Sequence, residues 1–300
     1  MQLDERETNE PAGEAGDEHG DEGCRPSTRG GQRGEGPLGV SHSLKSRVGN
    51  LGLLVMRVTV VVPTYNENDN IEALCRGVRA AVPGASILVV DDGSPDGTAE
   101  TVERLGVELG SITVLRRDQK LGLGSAYRTG LRAAIDGGAE VCVQMDADLS
   151  HDAAVLAALI ANVELGADLA IGSRYVPGGR TVDWPSGRRR LSRWGNRYAA
   201  GVLGLAVNDA TAGFRAYDSA ALVRMDFETV RAEGYGFQVE MTYRLVRIGG
   251  KIVEFPITFR DRVQGSSKMS GGIVREASVL VARLWLSDFR GRRKRRREGR

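Results

Sequence analysis

This 300-residue sequence has few cysteines and few long apolar runs. Its N-terminal part also has few large apolar residues. Its three cysteines, Cys24, Cys75 and Cys142, form no C-x-x-C pair and no metal-ligand spacing. Cys142 lies in an apolar run, so we predict a small core residue, and this cysteine usage fits a reducing cytoplasm. No apolar run reaches about 18 residues, so no membrane-spanning helix is predicted.

Charge and composition divide the chain into four segments. Residues 1–52 form an acidic, Gly-rich tail that we expect to be disordered, because it cannot bury enough apolar surface to offset its chain entropy. This tail has no signal-peptide pattern. Residues 55–272 are enough for one α/β domain, 273–289 are predicted to form an amphipathic helix, and 290–300 form a basic tail.

Strand-like and helix-like segments alternate through the central domain. Strands are predicted over 57–63, 111–117, 141–145 and 167–175, and residues 86–97 are predicted to form a strand followed by a turn. Helices are predicted over 70–81, 98–109, 124–137 and 152–165. This alternation predicts a largely parallel sheet with helices on both faces, in which ligands bind beyond the carboxyl ends of the strands.

Acidic residues follow three of the predicted strands. The strand ends read PTYNE (63–67), DDGSPD (91–96) and DAD (146–148). Each has an ordinary explanation, since Asn66 or Glu67 can cap a helix and Asp92-Gly93 is a common turn. Together on one sheet edge they would repel one another unless a cation or a ligand rich in hydrogen-bond donors lay among them. Mg²⁺ or Mn²⁺ held by such carboxylates would neutralise a diphosphate, so the pattern predicts a nucleotide site.

Four motifs in this order resemble a known family: VVPTYNE (61–67), VVDDGSPDGT (89–98), GLGSAYRTGL (122–131) and MDADLSH (145–151). They are similar to the family 2 glycosyltransferases with the nucleotide-sugar-binding GT-A fold, and most of all to the polyprenyl-phosphate (dolichyl-phosphate) mannose synthase group. The resemblance covers residues 57–270. It implies nucleoside contacts from Pro63, Tyr65, Glu67 and Asp92. It also implies that Asp146 and Asp148 hold the metal and the diphosphate, with Ser150 standing where some relatives have a Gln ligand.

The segment from Lys120 to Gly124 precedes the third predicted helix. Its Gly122-x-Gly124 spacing lacks the full G-x-G-x-x-G pattern, so a dinucleotide site is rejected. We favour a close approach of Lys120 and Gly122 to the nucleotide over a plain turn.

The chain becomes basic after the predicted sheet. A predicted loop carries Arg180, Trp184, Arg188, Arg189, Arg190, Ser192, Arg193 and Asn196. Arginine binds phosphate through a fork of donors, so this run is either a phosphate clamp or a solvated basic face. DATAGFRAY (209–217), GYGFQVE (234–240) and RVQGSSK (262–268) resemble acceptor-side motifs of the family. The resemblance implies a catalytic and acceptor-phosphate set of Arg174, Ser192, Arg215 and Lys268.

The resemblance implies transfer of mannose from GDP-mannose to a polyprenyl (dolichyl-type) phosphate with inversion, aided by Mg²⁺ or Mn²⁺. One alternative is a UDP-glucose-type polyprenyl-phosphate glycosyltransferase, because GDP and UDP sites share the same carboxylates. A nucleic-acid binder is the other, suggested by the basic residues alone. A nucleic-acid binder would leave the acidic sheet edge unexplained. The sequence also lacks a basic motif interleaved with aromatic residues, so no nucleic-acid partner is expected.

The amphipathic stripe at 273–289 either packs on the catalytic domain or lies in a membrane interface. With the basic tail, it favours peripheral contact with anionic lipid on the cytoplasmic, inner face of a membrane. A membrane partner protein is the other route to the lipid acceptor.

Overall fold

The protein is described by a computed structural model that covers residues 56–261 and 279–286. Several predictions lie outside the described residues. These are the 1–52 tail, the loop 262–268 with Lys268, the parts 273–278 and 287–289 of the amphipathic helix, and the basic tail 290–300.

Strands and helices alternate as the sequence predicts. The strands are β1 Val58–Thr64, β2 Ser86–Asp91, β3 Ile112–Arg116, β4 Val141–Gln144, β5 Leu169–Ser173, β6 Arg180–Val182, β7 Arg215–Asp218, β8 Ile252–Pro256 and β9 Thr258–Arg260. The helices are α1 Asn68–Ala81, α2 Thr98–Leu109, α3 Leu123–Asp136, α4 Leu156–Glu164, α5 Ser186–Leu203, α6 Ser219–Arg224 and α7 Gly234–Arg247. Residues 279–286 form a further helix, α8.

The central sheet has seven strands in the order β3-β2-β1-β4-β7-β5-β8. β3, β2, β1 and β4 are parallel, β7 runs antiparallel between β4 and β5, and β8 is parallel to β5. β6 and β9 form a separate parallel pair. The parallel half places the carboxyl ends of β1, β2 and β4 side by side, so the residues that follow them share one edge of the sheet.

Both faces of the sheet are covered by helices, as predicted. Alternation along β1 sends Val60 and Val62 into a core shared with α1, α2 and α4. Val61 points the other way, into a core shared with α3, α5, α6 and α7. Cys142 is fully buried in this second core, and burial raises the pKa of its thiol to about 11. Cys142 is therefore a core residue, as its apolar surroundings predict.

One predicted loop is a helix. α5 spans Ser186–Leu203, where the density of arginine suggested irregular structure. The buried positions Asn196, Ala199 and Leu203 have helical spacing and face the core, while Arg190, Arg193 and Arg197 are exposed. The helical period was obscured because so few of its inward-facing residues are large and apolar.

α8 packs on the catalytic domain through Val281, which is buried in the same core as α3 and α7, and through the partly buried Leu284. Tyr243 of α7 donates a hydrogen bond to the carbonyl of Leu284. Trp285 and Leu286 remain exposed. Within residues 56–261 and 279–286, no helix combines the length and apolar character needed to cross a bilayer.

Candidate active site

A cavity of about 1130 Å³ opens beside the carboxyl end of β4. Asp146 and Asp148 line one wall, directly after the strand and the single residue Met145. The strand-end residues of β1 and β2 lie on the same edge, where Thr64 donates a hydrogen bond to Asp91 at 2.9 Å. The acidic strand ends therefore meet at one edge of the sheet, as predicted from their order in the sequence.

Asp146 is held in place by α3 and by its own loop. The Tyr127 hydroxyl donates to Oδ1 of Asp146 at 2.8 Å. The amide of Asp146 donates to Nδ1 of His151 at 3.3 Å, and Nε2 of the same ring lies 4.0 Å from Oδ2. These contacts fix the carboxylate in one orientation before any ligand binds.

The protonation states of these two neighbours follow from their burial. Burial, followed by the charge of Asp146, raises the pKa of Tyr127 well above its ordinary value, so its hydroxyl keeps the proton that it donates. Burial lowers the pKa of His151, and nearby Asp146 offsets only part of that effect. The His151 ring, stacked 4.8 Å from Phe214, is therefore neutral near pH 7 and accepts through Nδ1.

Gly213 leaves room for Asp146. A Cβ atom at position 213 would lie 3.2 Å from Oδ2 of Asp146, which is tighter than ordinary packing. The segment before β7 can thus pass close to the carboxylate because residue 213 has no side chain.

Replacing Tyr127 with Phe is expected to lower kcat/KM for sugar transfer about 10-fold, because Asp146 loses one charge-assisted hydrogen bond. The free energy of unfolding should fall by less than about 1.5 kcal/mol, because the ring and its packing remain. Steady-state kinetics and thermal unfolding of the variant measure the two effects. Tyr198→Phe is the matched control, because Tyr198 is a partly buried residue of α5 that stacks on Trp194 and is not among the cavity residues. Equal kinetics for Tyr127→Phe and the wild type would show that Asp146 does not need this bond.

The residues predicted to contact the nucleoside lie along the ends of β1 and β2 and the start of α3. Nζ of Lys120 lies 3.8 Å from the centre of the half-exposed Tyr65 ring, so these two predicted residues do meet. Asp92 is buried and accepts from Nε of Arg117 at 2.7 Å. Arg117 also donates to Ser125 at 2.8 Å, which connects Asp92 to α3. Pro63 lies within β1, and Glu67 directly precedes α1.

Gly122 and Gly124, at the start of α3, lie close to a carboxylate of the protein itself. Oε2 of Glu233 accepts from the amide of Gly124 at 2.7 Å, and Oε1 accepts from Arg128 at 3.1 Å. A Cβ atom at Gly122 would lie 2.6 Å from Oε2, and Gly122 has a left-handed φ of 98°. The start of α3 does receive an anion, as helix N-termini do, but here the anion is Glu233. A nucleotide contact from Gly122 stays a prediction.

Arg174 lies at the cavity wall in a buried ion pair. Its Nε and Nη2 donate to the two carboxylate oxygens of Asp209 at 2.7 and 2.6 Å, and Nη2 also donates to Thr211. Burial alone would raise the pKa of Asp209, but the adjacent Arg174 guanidinium holds it below its usual range. The pair is therefore charged at neutral pH, with the arginine fixed beside the cavity.

Arg215 is not among the residues that line the cavity, and its predicted contact with a phosphate stays a prediction. It is fully buried, and its guanidinium makes five hydrogen bonds inside the protein. The acceptors are the carbonyls of Ala210, Ala212 and Gln238 and the hydroxyls of Tyr217 and Thr242. With its donors engaged, Arg215 ties the segment before β7 to α7 and supports the cavity from behind.

Of the other predicted acceptor residues, Ser192 lies on α5 and accepts a hydrogen bond from the Tyr175 hydroxyl at 2.7 Å. It is not among the residues lining the cavity, and Lys268 lies outside the described residues. Arg188 does line it, bonded to Asp261 at 2.8 Å and lying 4.1 Å from the centre of the Trp184 ring. The long arginine run is thus divided between the cavity and the exposed face of α5.

Sequence reasoning missed several cavity residues. Arg231 and Arg283 add positive charge to its lining. Glu233 was missed as well, whereas Gln238, which also lines the cavity, lies within the GYGFQVE motif that resembles an acceptor-side motif. His151 closes the MDADLSH motif, yet the motif alone gave no sign that its ring supports the Asp146 amide.

The residues fit a divalent cation of the oxygen-binding kind. Asp146 and Asp148 present carboxylates one residue apart at the cavity wall. The part of the chain described here holds no group of three or more His, Cys, Asp or Glu that could enclose a metal by itself. Two carboxylates suit Mg²⁺ or Mn²⁺, which complete their shells with waters and substrate phosphates.

The sheet topology, with paired carboxylates at its carboxyl edge, places the protein among the GT-A glycosyltransferases. The chain belongs to the family described as glycosyl transferase family 2, whose model matches residues 59–225. The family predicted from the four motifs is thereby confirmed.

Relatives of named activity share most of the chain. An undecaprenyl-phosphate mannosyltransferase from Micrococcus luteus is 48% identical, over 77% of this chain and 95% of that protein. A polyprenol monophosphomannose synthase from Mycolicibacterium smegmatis is 45% identical, over 75% of this chain and 86% of that one. Glucosyl-3-phosphoglycerate synthase from Mycobacterium tuberculosis, crystallised with Mn²⁺, UDP-glucose and phosphoglyceric acid, has the same fold. That structure has a TM-score of 0.59 at 20% identity, covering 77% of this chain and 80% of the other.

Proposed function

We propose that the protein transfers mannose from GDP-mannose to a polyprenyl phosphate, with inversion at the sugar. The observation that carries this proposal is one cavity lined by two carboxylates, Asp146 and Asp148, and by the arginines Arg174, Arg188 and Arg231. Such a cavity suits a reaction that brings two phosphate-bearing substrates together. The named activities of the relatives at 48% and 45% identity support the sugar and the lipid acceptor.

The nucleotide lies, in this proposal, along the strand ends and reaches the cavity with its diphosphate. Pro63, Tyr65, Glu67, Asp92, Lys120 and Gly122 form the nucleoside side. The pairing of Tyr65 with Lys120 supports a platform for the base or ribose at this edge. Asp146 and Asp148 hold Mg²⁺ or Mn²⁺ against the diphosphate, and that cation, when bound, screens charge on the leaving group.

The acceptor phosphate is positioned by the arginine wall of the cavity, which consists of Arg174, Arg188 and Arg231. Arg174 is already fixed by Asp209, so it can orient a phosphate without reorganising. Arg188 and Arg231 provide further charge at the same cavity. Lys268 and Ser192 remain proposed contacts of the acceptor phosphate.

The chemistry needs positioning more than acid–base catalysis. A phosphate monoester is already an anion at neutral pH, so its oxygen needs no general base. That oxygen attacks C1 of the sugar from the face opposite the diphosphate, the C1–O bond to the diphosphate breaks, and the nucleoside diphosphate leaves. The arginine wall offsets the repulsion between the two phosphate groups as they approach.

Peripheral contact with the inner, cytoplasmic face of a membrane accounts for access to the lipid. α8 carries Leu280 at the cavity, and it exposes Trp285 and Leu286 on its outer side. Exposed apolar residues followed by a basic segment, 290–300, suit an anionic lipid surface. A membrane partner protein could serve the same end.

The donor is tested by measuring transfer to a short polyprenyl phosphate from GDP-mannose and UDP-glucose in parallel, with and without a chelator. We expect transfer from GDP-mannose that the chelator abolishes and that either Mg²⁺ or Mn²⁺ restores. Transfer from UDP-glucose alone would leave the proposed mechanism unchanged but would make UDP-glucose, and not GDP-mannose, the donor. If neither donor supports transfer, in membranes or in detergent, the proposal that a polyprenyl phosphate is the acceptor is refuted.

A further inference from the structure

Gln238 is a cavity-lining residue with a buried side-chain amide. Its side chain lines the cavity, the residue is only 3% exposed, and neither Nε2 nor Oε1 has a hydrogen-bond partner among the described residues. A buried amide left without partners is unfavourable. A cavity-lining residue with such an amide fits a role that a ligand completes.

The backbone of Gln238 is held in place within α7. The carbonyl of Gln238 accepts from Arg215 at 3.1 Å and from the hydroxyl of Thr242 at 2.9 Å. Arg215 also bonds to the carbonyls of Ala210 and Ala212, next to Gly213 and hence to Asp146. Arg215 therefore links the backbone of α7 at Gln238 to the segment that passes next to Asp146.

The chemistry of the amide identifies its partner. An amide offers two donors on nitrogen and an acceptor on oxygen, and in Gln238 both atoms lack partners. A phosphate group at neutral pH chiefly accepts, and an isoprenoid chain does neither. A sugar hydroxyl both donates and accepts, so a hexose would satisfy both ends of the amide. Ser150, at the same cavity, has a buried hydroxyl that also lacks a partner among the described residues.

We propose that the side-chain amide of Gln238 binds hydroxyl groups of the donor hexose and determines which sugar the enzyme accepts. This assignment rests on the proposed function only in placing a sugar nucleotide in this cavity. It makes Gln238 a specificity residue for the sugar, separate from the residues that hold the nucleotide. Sites that hydrogen-bond a substrate hydroxyl discriminate strongly, because a wrong substrate leaves their buried polar groups unpaired.

The test compares the affinity for GDP-mannose with that for GDP alone, by calorimetry with Mg²⁺, in the wild type and Gln238→Leu. We expect GDP-mannose to bind Gln238→Leu about 10-fold more weakly, while GDP binds within about twofold of wild type. If the leucine variant does not fold, Gln238→Met replaces it. Kinetics with GDP-mannose and GDP-glucose should show the preference between these two sugars narrowing in the variant.

Gln144→Leu is the matched control. Gln144 is also buried with both side-chain atoms unpartnered, but it lies in β4 and is not among the cavity residues. This control should change stability without changing the ratio of the two affinities. An unchanged ratio in Gln238→Leu would overturn the proposal, as would a loss confined to the KM for the lipid acceptor.

Failure of the proposed function gives a different result. A wild type that transfers sugar only from UDP-glucose would refute the GDP-mannose assignment, and the same comparison would then use UDP-glucose and UDP. A sugar-dependent loss of affinity in Gln238→Leu would still support the role of the amide. Absence of that loss, with the donor that the wild type uses, would refute it.

Discussion

Replacing Asp148 with Asn is expected to lower kcat/KM for sugar transfer at least about 100-fold, with little change in thermal stability. Asp148 lines the cavity two residues after Asp146, where a divalent cation would meet the diphosphate. The asparagine keeps the size of the side chain, and its amide can still accept from the amide of Ser150, as the carboxylate does at 3.1 Å. The negative charge that attracts the cation is lost. Initial rates over a range of Mg²⁺ and Mn²⁺ concentrations measure the effect.

Asp152→Asn provides the control for that result. Asp152 is exposed, and its carboxylate accepts from the amide of Ala154 at the start of a short 3-10 turn. The same chemical change there, four residues from Asp148, should leave the rate within about twofold of wild type, since surface substitutions rarely exceed about 0.5 kcal/mol. A stable Asp148→Asn enzyme of normal activity would refute the assignment of this carboxylate.

Replacing Arg215 with Met is expected to lower the free energy of unfolding by about 3–5 kcal/mol. The substitution leaves the buried carbonyls of Ala210, Ala212 and Gln238 without the donors that Arg215 supplies. Chemical denaturation followed by circular dichroism measures the loss. A phosphate-binding role, which the sequence predicted for Arg215, would instead leave stability unchanged and raise the KM for the acceptor.

Arg224→Met is the matched change on the surface. Arg224 is about half exposed and pairs with Asp168, and exposed ion pairs of this kind contribute about 0–1 kcal/mol. The two variants should therefore differ by several kcal/mol in stability. Similar stabilities for both would mean that the hydrogen bonds of Arg215 are not needed to hold α7 against the segment before β7.

Much of the fold could be predicted because its signals are local. The β-branched run ending at Pro63 and the apolar spacing of Ile71, Leu74 and Val78 define β1 and α1 within short windows. The paired carboxylates Asp146 and Asp148 were predicted because a parallel sheet brings strand ends to one edge. α5 was taken for a loop because its helical period is carried by few large apolar residues.

The roles of other site residues depend on contacts that are distant in sequence. Glu233 meets the amide of Gly124, 109 residues away, and no local pattern indicates that a protein carboxylate takes this helix N-terminus. Arg215 resembles a phosphate-binding residue until its bonds to Gln238 and Thr242, 23 and 27 residues later, are known. Both Arg174 and Arg215 are buried, but only Arg174 is among the residues that line the cavity, and that placement is a property of the fold.

The central claim is that this cavity joins a sugar nucleotide to a lipid phosphate, and the acceptor tests it most directly. Transfer of labelled mannose from GDP-mannose should be measured with polyprenyl phosphate and with the free polyprenol of equal chain length. Transfer to the phosphate alone, abolished in Asp148→Asn, is the predicted result, because Arg174, Arg188 and Arg231 line the cavity and favour an anionic acceptor. Equal transfer to the free polyprenol would contradict the account.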